Sequence, residues 1–262
     1  MNMRITEKDF YNLYKGEDYK INDKIIIKQP NMKEIIEYGF DNFFSMVSIL
    51  CSTPNDDNNI YWLTEAGYDF TKIDEFDLFC ILCQQFDKER TNILFENLDF
   101  TKFELQELRN KDDDKLVSKF LYNDQDDIVI DKKIYLQITE ILRMIYGLKK
   151  NMFYPANARA KQDFIDDAYD KHEALMVQSL NREGNSWFNS FISFLVSNAD
   201  IKENRNTIWD ASFFYCRDVY YRVLHNKQVD LLKQSGYSGF GIDISKINKS
   251  NLDYTKDLYI TE

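Results

Sequence analysis

The cleanest hydrophobic pattern in the chain is a one-faced helical stripe, Ile134, Ile138, Ile141, Leu142 and Ile145, which Gly147 brings to an end. Asp131 stands where it can cap that helix. A second stripe, Ile36, Phe40, Phe43, Val47 and Leu50, predicts another helix, with Asn31 as cap and Glu34 as its capping-box partner. Gly39 lies inside this stripe and weakens the case for an unbroken helix. Shorter helices are predicted at Glu7–Leu13 and Tyr61–Gly67. Another carries Phe76, Phe79, Leu82, Cys83 and Phe86, and further helical stretches follow at Lys88–Leu94 and Asn97–Leu108. Strand signals are few. Lys24–Lys28 holds three consecutive isoleucines and stops at Pro30, which has no N–H for a ladder. Lys119–Tyr122 and Asp127–Ile130 flank the turn residues Asn123–Asp126 and read as a β-hairpin.

The later part of the chain changes character. Residues 149–185 are polar with weak apolar periodicity, which reads as a surface helix or linker and the best place for a boundary. After Gly184, one aromatic helix starts with Trp187, Phe191 and Leu195, and a second with Ile208, Phe213, Tyr220 and Leu224. A third, short helix is expected at Asn226–Gln234, and a short helix or loop at Ile244–Tyr254. No internal repeat is visible. The expected organisation is an N-terminal α+β domain over 1–148, a polar helical linker over 149–185 and a C-terminal helical subdomain over 186–262. The expected fold is mainly α (α+β), a helical bundle with a small antiparallel β element near residues 24–28 and 119–130.

Composition narrows the function classes. Aromatics make up 15% of 262 residues, too many large apolar groups for a disordered chain. The net charge of −11 argues against a general nucleic-acid binder, which gains affinity from Lys and Arg on phosphates. No apolar run is long enough to span a bilayer, and the N-terminus lacks a signal-peptide core, so cytoplasm is the expected location. Cys51, Cys80, Cys83 and Cys216 sit in apolar segments and read as free buried thiols.

Four motifs invite a chemical reading, and in each the plainer one is stronger. Cys80-Ile-Leu-Cys83 lacks the second ligand pair of a zinc site and sits mid-stripe, away from a helix N-terminus that would activate a thiol. Ser235–Gly241 is glycine-rich but follows a helix and lacks a phosphate-binding lysine, so it reads as a helix end and turn. Asp124–Asp127 resembles the start of a calcium loop, yet Val129 stands where glycine is needed and Tyr135 where a bidentate Glu is needed. Asp163, Asp166, Asp167 and Asp170 have near-helical spacing, which suits a charged surface better than a metal pair. The aromatics of 187–224 fit core packing first and a partner-facing surface second. The sequence thus assigns no catalytic, cofactor-binding or metal-ligating residue and leaves any partner-binding face unknown.

Four segments, taken together and in order, resemble tail assembly chaperone-like proteins of phages of low-GC Gram-positive bacteria. They are Ile25–Pro30 running to Glu34–Gly39; Asp74–Phe79; Leu98–Leu105 followed by Asp127–Asp131; and Gly236–Gly239 followed by Asp243–Asn248. The likeness covers most of 24–258 and thins over 149–205. It implies a non-enzymatic protein, without cofactor, that binds tape-measure or tail-tube protein during virion assembly. Two rival expectations are a minor structural tail or baseplate protein retained in the virion, and a host-takeover factor or enzyme with an unrecognised site.

Overall fold

The computed structural model describes residues 6–110, 115–181, 187–237, 243–256 and 258. The fold is mainly helical with two small antiparallel sheets. Helix α1 (Glu7–Tyr14) leads into β1 (Tyr19–Lys20) and β2 (Ile26–Ile27), which pair in register Tyr19 with Ile27. The predicted 24–28 strand is thus only two residues long in its ladder. Ile25 is nevertheless fully buried, and the Lys28 N–H donates to the Leu94 carbonyl at 2.8 Å.

Helix α2 (Met32–Tyr38) opens with the predicted capping box: Asn31 accepts from the Glu34 N–H and Glu34 accepts from the Asn31 N–H. Gly39, at φ 97°, breaks the stripe, and α3 (Phe40–Cys51) resumes beyond it. Phe43, Val47 and Leu50 go to the core while Ile36 stays exposed, because the break changes which face points inward. Then come α4 (Asp57–Glu65), α5 (Glu75–Leu82) and α6 (Lys88–Thr91).

Asn97–Leu108, expected as a helix, is a correction. It forms a 3-10 turn at Phe100–Lys102 and then strand β3 (Glu104–Arg109). The reason is tertiary: β4 (Leu116–Asn123) supplies the ladder, and Leu105 lies opposite buried Leu121. Strand β5 (Ile128–Asp131) completes the order β3-β4-β5, so the predicted hairpin is present and gains a third strand. This sheet is separate from the β1–β2 pair.

Helix α7 (Lys132–Tyr146) fulfils its stripe, with Asp131 accepting from the Ile134 N–H at 2.8 Å and Gly147 ending it at φ 72°. Residues 149–185 supply α8 (Ala158–Asn181), which packs on α4 around buried Ile60, Phe70 and Ala168. Helix α9 (Trp187–Ser197) and α10 (Phe213–Tyr237) follow, with Ile208 in a separate 3-10 turn before α10. The expected short helix at Asn226–Gln234 is the continuation of α10, because no glycine or proline interrupts residues 213–235. Residues 111–114, and Gly184, Gly239 and Gly241, invoked as turn signals, lie outside the described residues.

One buried cluster joins α1, α3, α5, the β3–β5 sheet, α7, α9 and α10. Side chains from 1–148 and from 186–262 meet in it, through contacts such as Phe40 stacked on Phe188 at 4.1 Å and Phe44 against Phe213 at 5.0 Å. Most aromatics of 187–224 are therefore core, although Trp187 and Tyr221 keep about half their surface exposed (54% and 52%).

The structure also shows a local recurrence that the sequence reading lacks. Asp69-Phe-Thr-Lys, Asp99-Phe-Thr-Lys, Asp243-Ile-Ser-Lys and Asp253-Tyr-Thr-Lys build one turn four times. In each, the aspartate Oδ1 accepts from both the N–H and the hydroxyl of the Thr or Ser two residues on. That bonding starts a tight turn and aims the residue after Asp at a neighbour. Phe70 and Phe100 become fully buried plugs this way, while Tyr254 instead lies against α10.

Candidate partner-binding groove

The stretch Lys28–Tyr38 is built as one rigid corner. Its backbone is tied on both sides: Lys28 N–H to Leu94, and Met32 N–H to the Ala211 carbonyl at 3.0 Å. Pro30 lies between them and cannot donate. Gln29 is the internal brace. Its N–H donates to Asp18 Oδ1 at 2.9 Å, and its Nε2 donates to the carbonyls of Leu13 and Glu17 at 3.1 and 2.6 Å. Gln29 is nine-tenths buried, and its Oε1 has no hydrogen-bond partner. Tyr38 closes the corner by donating its hydroxyl to the Arg90 carbonyl at 3.1 Å. Burial raises the Tyr38 pKa, with Asp87 adding to the rise and Arg90 opposing it, so this hydroxyl remains a donor at neutral pH.

This corner forms one wall of a groove of about 480 Å³. Pro30, Tyr38 and Ile93 give it an apolar lining, and Asp18, Glu34, Glu37 and Glu89 line it against a single cation, Lys28. Lys28 Nζ is engaged by the Asn92 carbonyl at 3.1 Å, and Glu37 reaches Lys33 only at 3.7 Å. The groove continues through Gln29 and Glu34 into a second depression of about 430 Å³, lined by Tyr14, Tyr215, Glu203 and Asp210, with Lys15 as its cation. Through Tyr14 it meets a third, of about 370 Å³, lined by Asp200, Asp218 and Asp230 with Arg222 and Lys227. Fixed carboxylates around apolar walls favour a cationic segment with an aromatic or aliphatic anchor.

The sequence motifs singled out for chemistry fall elsewhere. Cys80 and Cys83 are buried, and burial pushes both thiols up, Cys80 to about 12. Such thiols stay protonated and unreactive. Asp127, at φ 50°, pairs with Lys24 Nζ at 2.7 Å, and Asn123 donates to Asp126 Oδ2 at 2.9 Å, so these carboxylates pin the hairpin turn to β2's flank. Asp163, Asp166, Asp167 and Asp170 lie exposed along α8, with Asp166 taken by Gln162 at 2.8 Å. Among the described residues no three His, Cys, Asp or Glu side chains gather as a metal site. Gly236 has a packing role: a Cβ there would meet Ile244 Cδ1 at 2.0 Å. No helix among the described residues is long and apolar enough to cross a membrane.

Sequence reasoning missed a second surface. Between α7 and α8 the chain runs Lys149-Lys-Asn-Met-Phe-Tyr-Pro155, and Met152, Phe153 and Tyr154 are 63%, 76% and 57% exposed. Its signal was available: residues 141–162 form the longest stretch of the sequence without Asp or Glu. Asn151 fixes its base by donating to the Asn55 carbonyl at 2.7 Å and accepting from the Phe153 N–H at 3.0 Å.

What the fold and groove define is a mainly helical, acidic protein with a preformed peptide-sized cleft. No family model, curated protein or solved structure matches the chain.

Proposed function

We propose that this protein is a non-enzymatic escort of phage tail assembly, a chaperone that holds tape-measure or tail-tube protein in the host cytoplasm until it is built into the virion. The observation that carries the reading is the position of the groove. Its wall is Lys28, Gln29, Pro30, Glu34, Glu37 and Tyr38, the same Ile25–Pro30 and Glu34–Gly39 segments that resemble the tail assembly family. Unassembled tail subunits expose apolar surface before they polymerise. A cleft with apolar walls and a carboxylate rim covers such a segment when it is flanked by Lys or Arg. The net charge of −11 keeps the complex soluble.

The test is a pair of measurements on cells producing the phage. Crosslinking should join the protein to a tape-measure or tube subunit, and Glu37→Lys with Glu89→Lys should abolish the crosslink. Mass spectrometry of purified virions should then find the protein absent. Its presence in stoichiometric amount would replace this reading with that of a minor structural tail protein.

A further inference from the structure

We infer that the groove and the Met152–Tyr154 loop are the two halves of one head-to-tail contact between copies of this chain. The loop presents Met152, Phe153 and Tyr154 as one exposed apolar tip, and the groove offers a lining of Pro30, Tyr38 and Ile93. Flanking the tip in sequence are Lys149 and Arg159, both exposed and without an ion pair among the described residues, whereas Lys150 is held by Glu75 at 2.7 Å. Around the groove stand Asp18 and Glu89, which likewise carry no ion pair among the described residues. Inside the groove, Gln29 is a fixed, nine-tenths buried amide whose Oε1 lacks a donor.

Placement decides that the contact is between copies. The groove lies at Tyr38, just before α3 begins at Phe40, and the loop is anchored at Asn55, just after α3 ends at Cys51. Twelve helical residues put about 18 Å between them, so a rigid loop does not fold back into its own groove. Two different surfaces of one molecule make a heterologous contact, which propagates as a ring or filament instead of stopping at a symmetric dimer. The three tip residues bring roughly 400 Å² of exposed surface. That is below the ~800 Å² per partner of a standard interface, so the association is weak and salt-sensitive. The loop and a tail segment would compete for the same groove, but the test below needs only the purified chain, and its failure leaves the tail-partner reading to its own test.

Sedimentation velocity on the full chain tests it. The weight-average mass of the wild type should rise with concentration at low salt, up to millimolar protein, and fall back towards the monomer in high salt. A loop variant (Lys149→Glu, Phe153→Asp) and a groove variant (Glu37→Lys, Glu89→Lys) should each stay monomeric. All four sites are exposed, and circular dichroism checks that both variants fold; Arg159→Glu replaces the loop pair if that variant does not. The deciding sample is an equimolar mixture. One variant keeps an intact groove and the other an intact loop, so the mixture should form a dimer and nothing larger. A wild type that stays monomeric, variants that associate as the wild type does, or a mixture that stays monomeric would each overturn the inference.

Discussion

Replacing Gly147 by alanine should be among the most damaging small changes this protein can suffer. Gly147 ends α7 at φ 72°, and a Cβ there would sit 2.2 Å from Arg217 Nη1, 3.1 Å from Cδ and 3.2 Å from Cζ. Arg217 has little room to yield. It is buried, its Nη2 donates to the Met144 carbonyl at 2.6 Å, and its guanidinium lies 5.8 Å from the Phe214 ring. An L-residue in the left-handed region costs about 1–2 kcal/mol. Displacing a charged donor from this part-buried carbonyl costs up to about 1.5–3 kcal/mol. Gly147→Ala should therefore lose about 2.5–5 kcal/mol in urea denaturation at unchanged m-value. In an Arg217→Met background only the backbone part remains, about 1–2 kcal/mol. A loss below about 1 kcal/mol in the wild type, or an equal loss in both backgrounds, would refute the reasoning.

Asn31→Ala removes the cap of α2 and should cost about 1 kcal/mol, read by the same denaturation. Tyr146→Phe should be neutral or stabilising by up to ~1 kcal/mol, because the buried hydroxyl has no hydrogen-bond partner to lose. The four thiols, buried and pushed up in pKa by that burial, should react with a thiol reagent at pH 8 only after unfolding; rapid native labelling of Cys80 or Cys83 would contradict their placement. Stability should also fall in acid. Hydrogen bonds from Lys24 to Asp127, from Lys161 to Asp69 and from Thr255 to Asp253 hold these carboxyls below the usual range. Their folded-state pKa values lie below the unfolded ones, so their contribution is complete above the unfolded carboxylate pKa of about 4 and is lost as pH falls through the folded values. A melting temperature flat from pH 5 down to pH 2 would count against those pairings.

Much of the helical framework was legible because it depends on local chemistry. The capping box at Asn31 and Glu34, the cap at Asp131 and the stop at Gly147 are decided by residues a turn apart, and all three are present. What tertiary partners decide was hidden. Residues 104–109 become a strand only because β4 lies beside them, and α8 is ordered against α4 although its own apolar pattern is weak. The four Asp-led turns escaped notice because each is only four residues long, with Phe, Ile or Tyr at the second position and Thr three times and Ser once at the third. The groove was half visible: Lys28–Tyr38 stood out as a motif, but nothing in the sequence says that Asp18, Glu89 and Ile93 come to face it. The exposed loop was overlooked because Met152–Tyr154 lies inside 149–185, a stretch polar enough to read as a surface helix or linker, and three adjacent apolar residues show no periodicity of their own.

The central claim is that the groove walled by Lys28–Tyr38 captures a cationic, aromatic-anchored segment of a tail protein. Isothermal titration of purified tape-measure or tail-tube protein into this chain measures it most directly. Saturable binding that weakens with salt and disappears in the Glu37→Lys, Glu89→Lys variant is the predicted result. Binding that is absent, or that the variant retains undiminished, would contradict it.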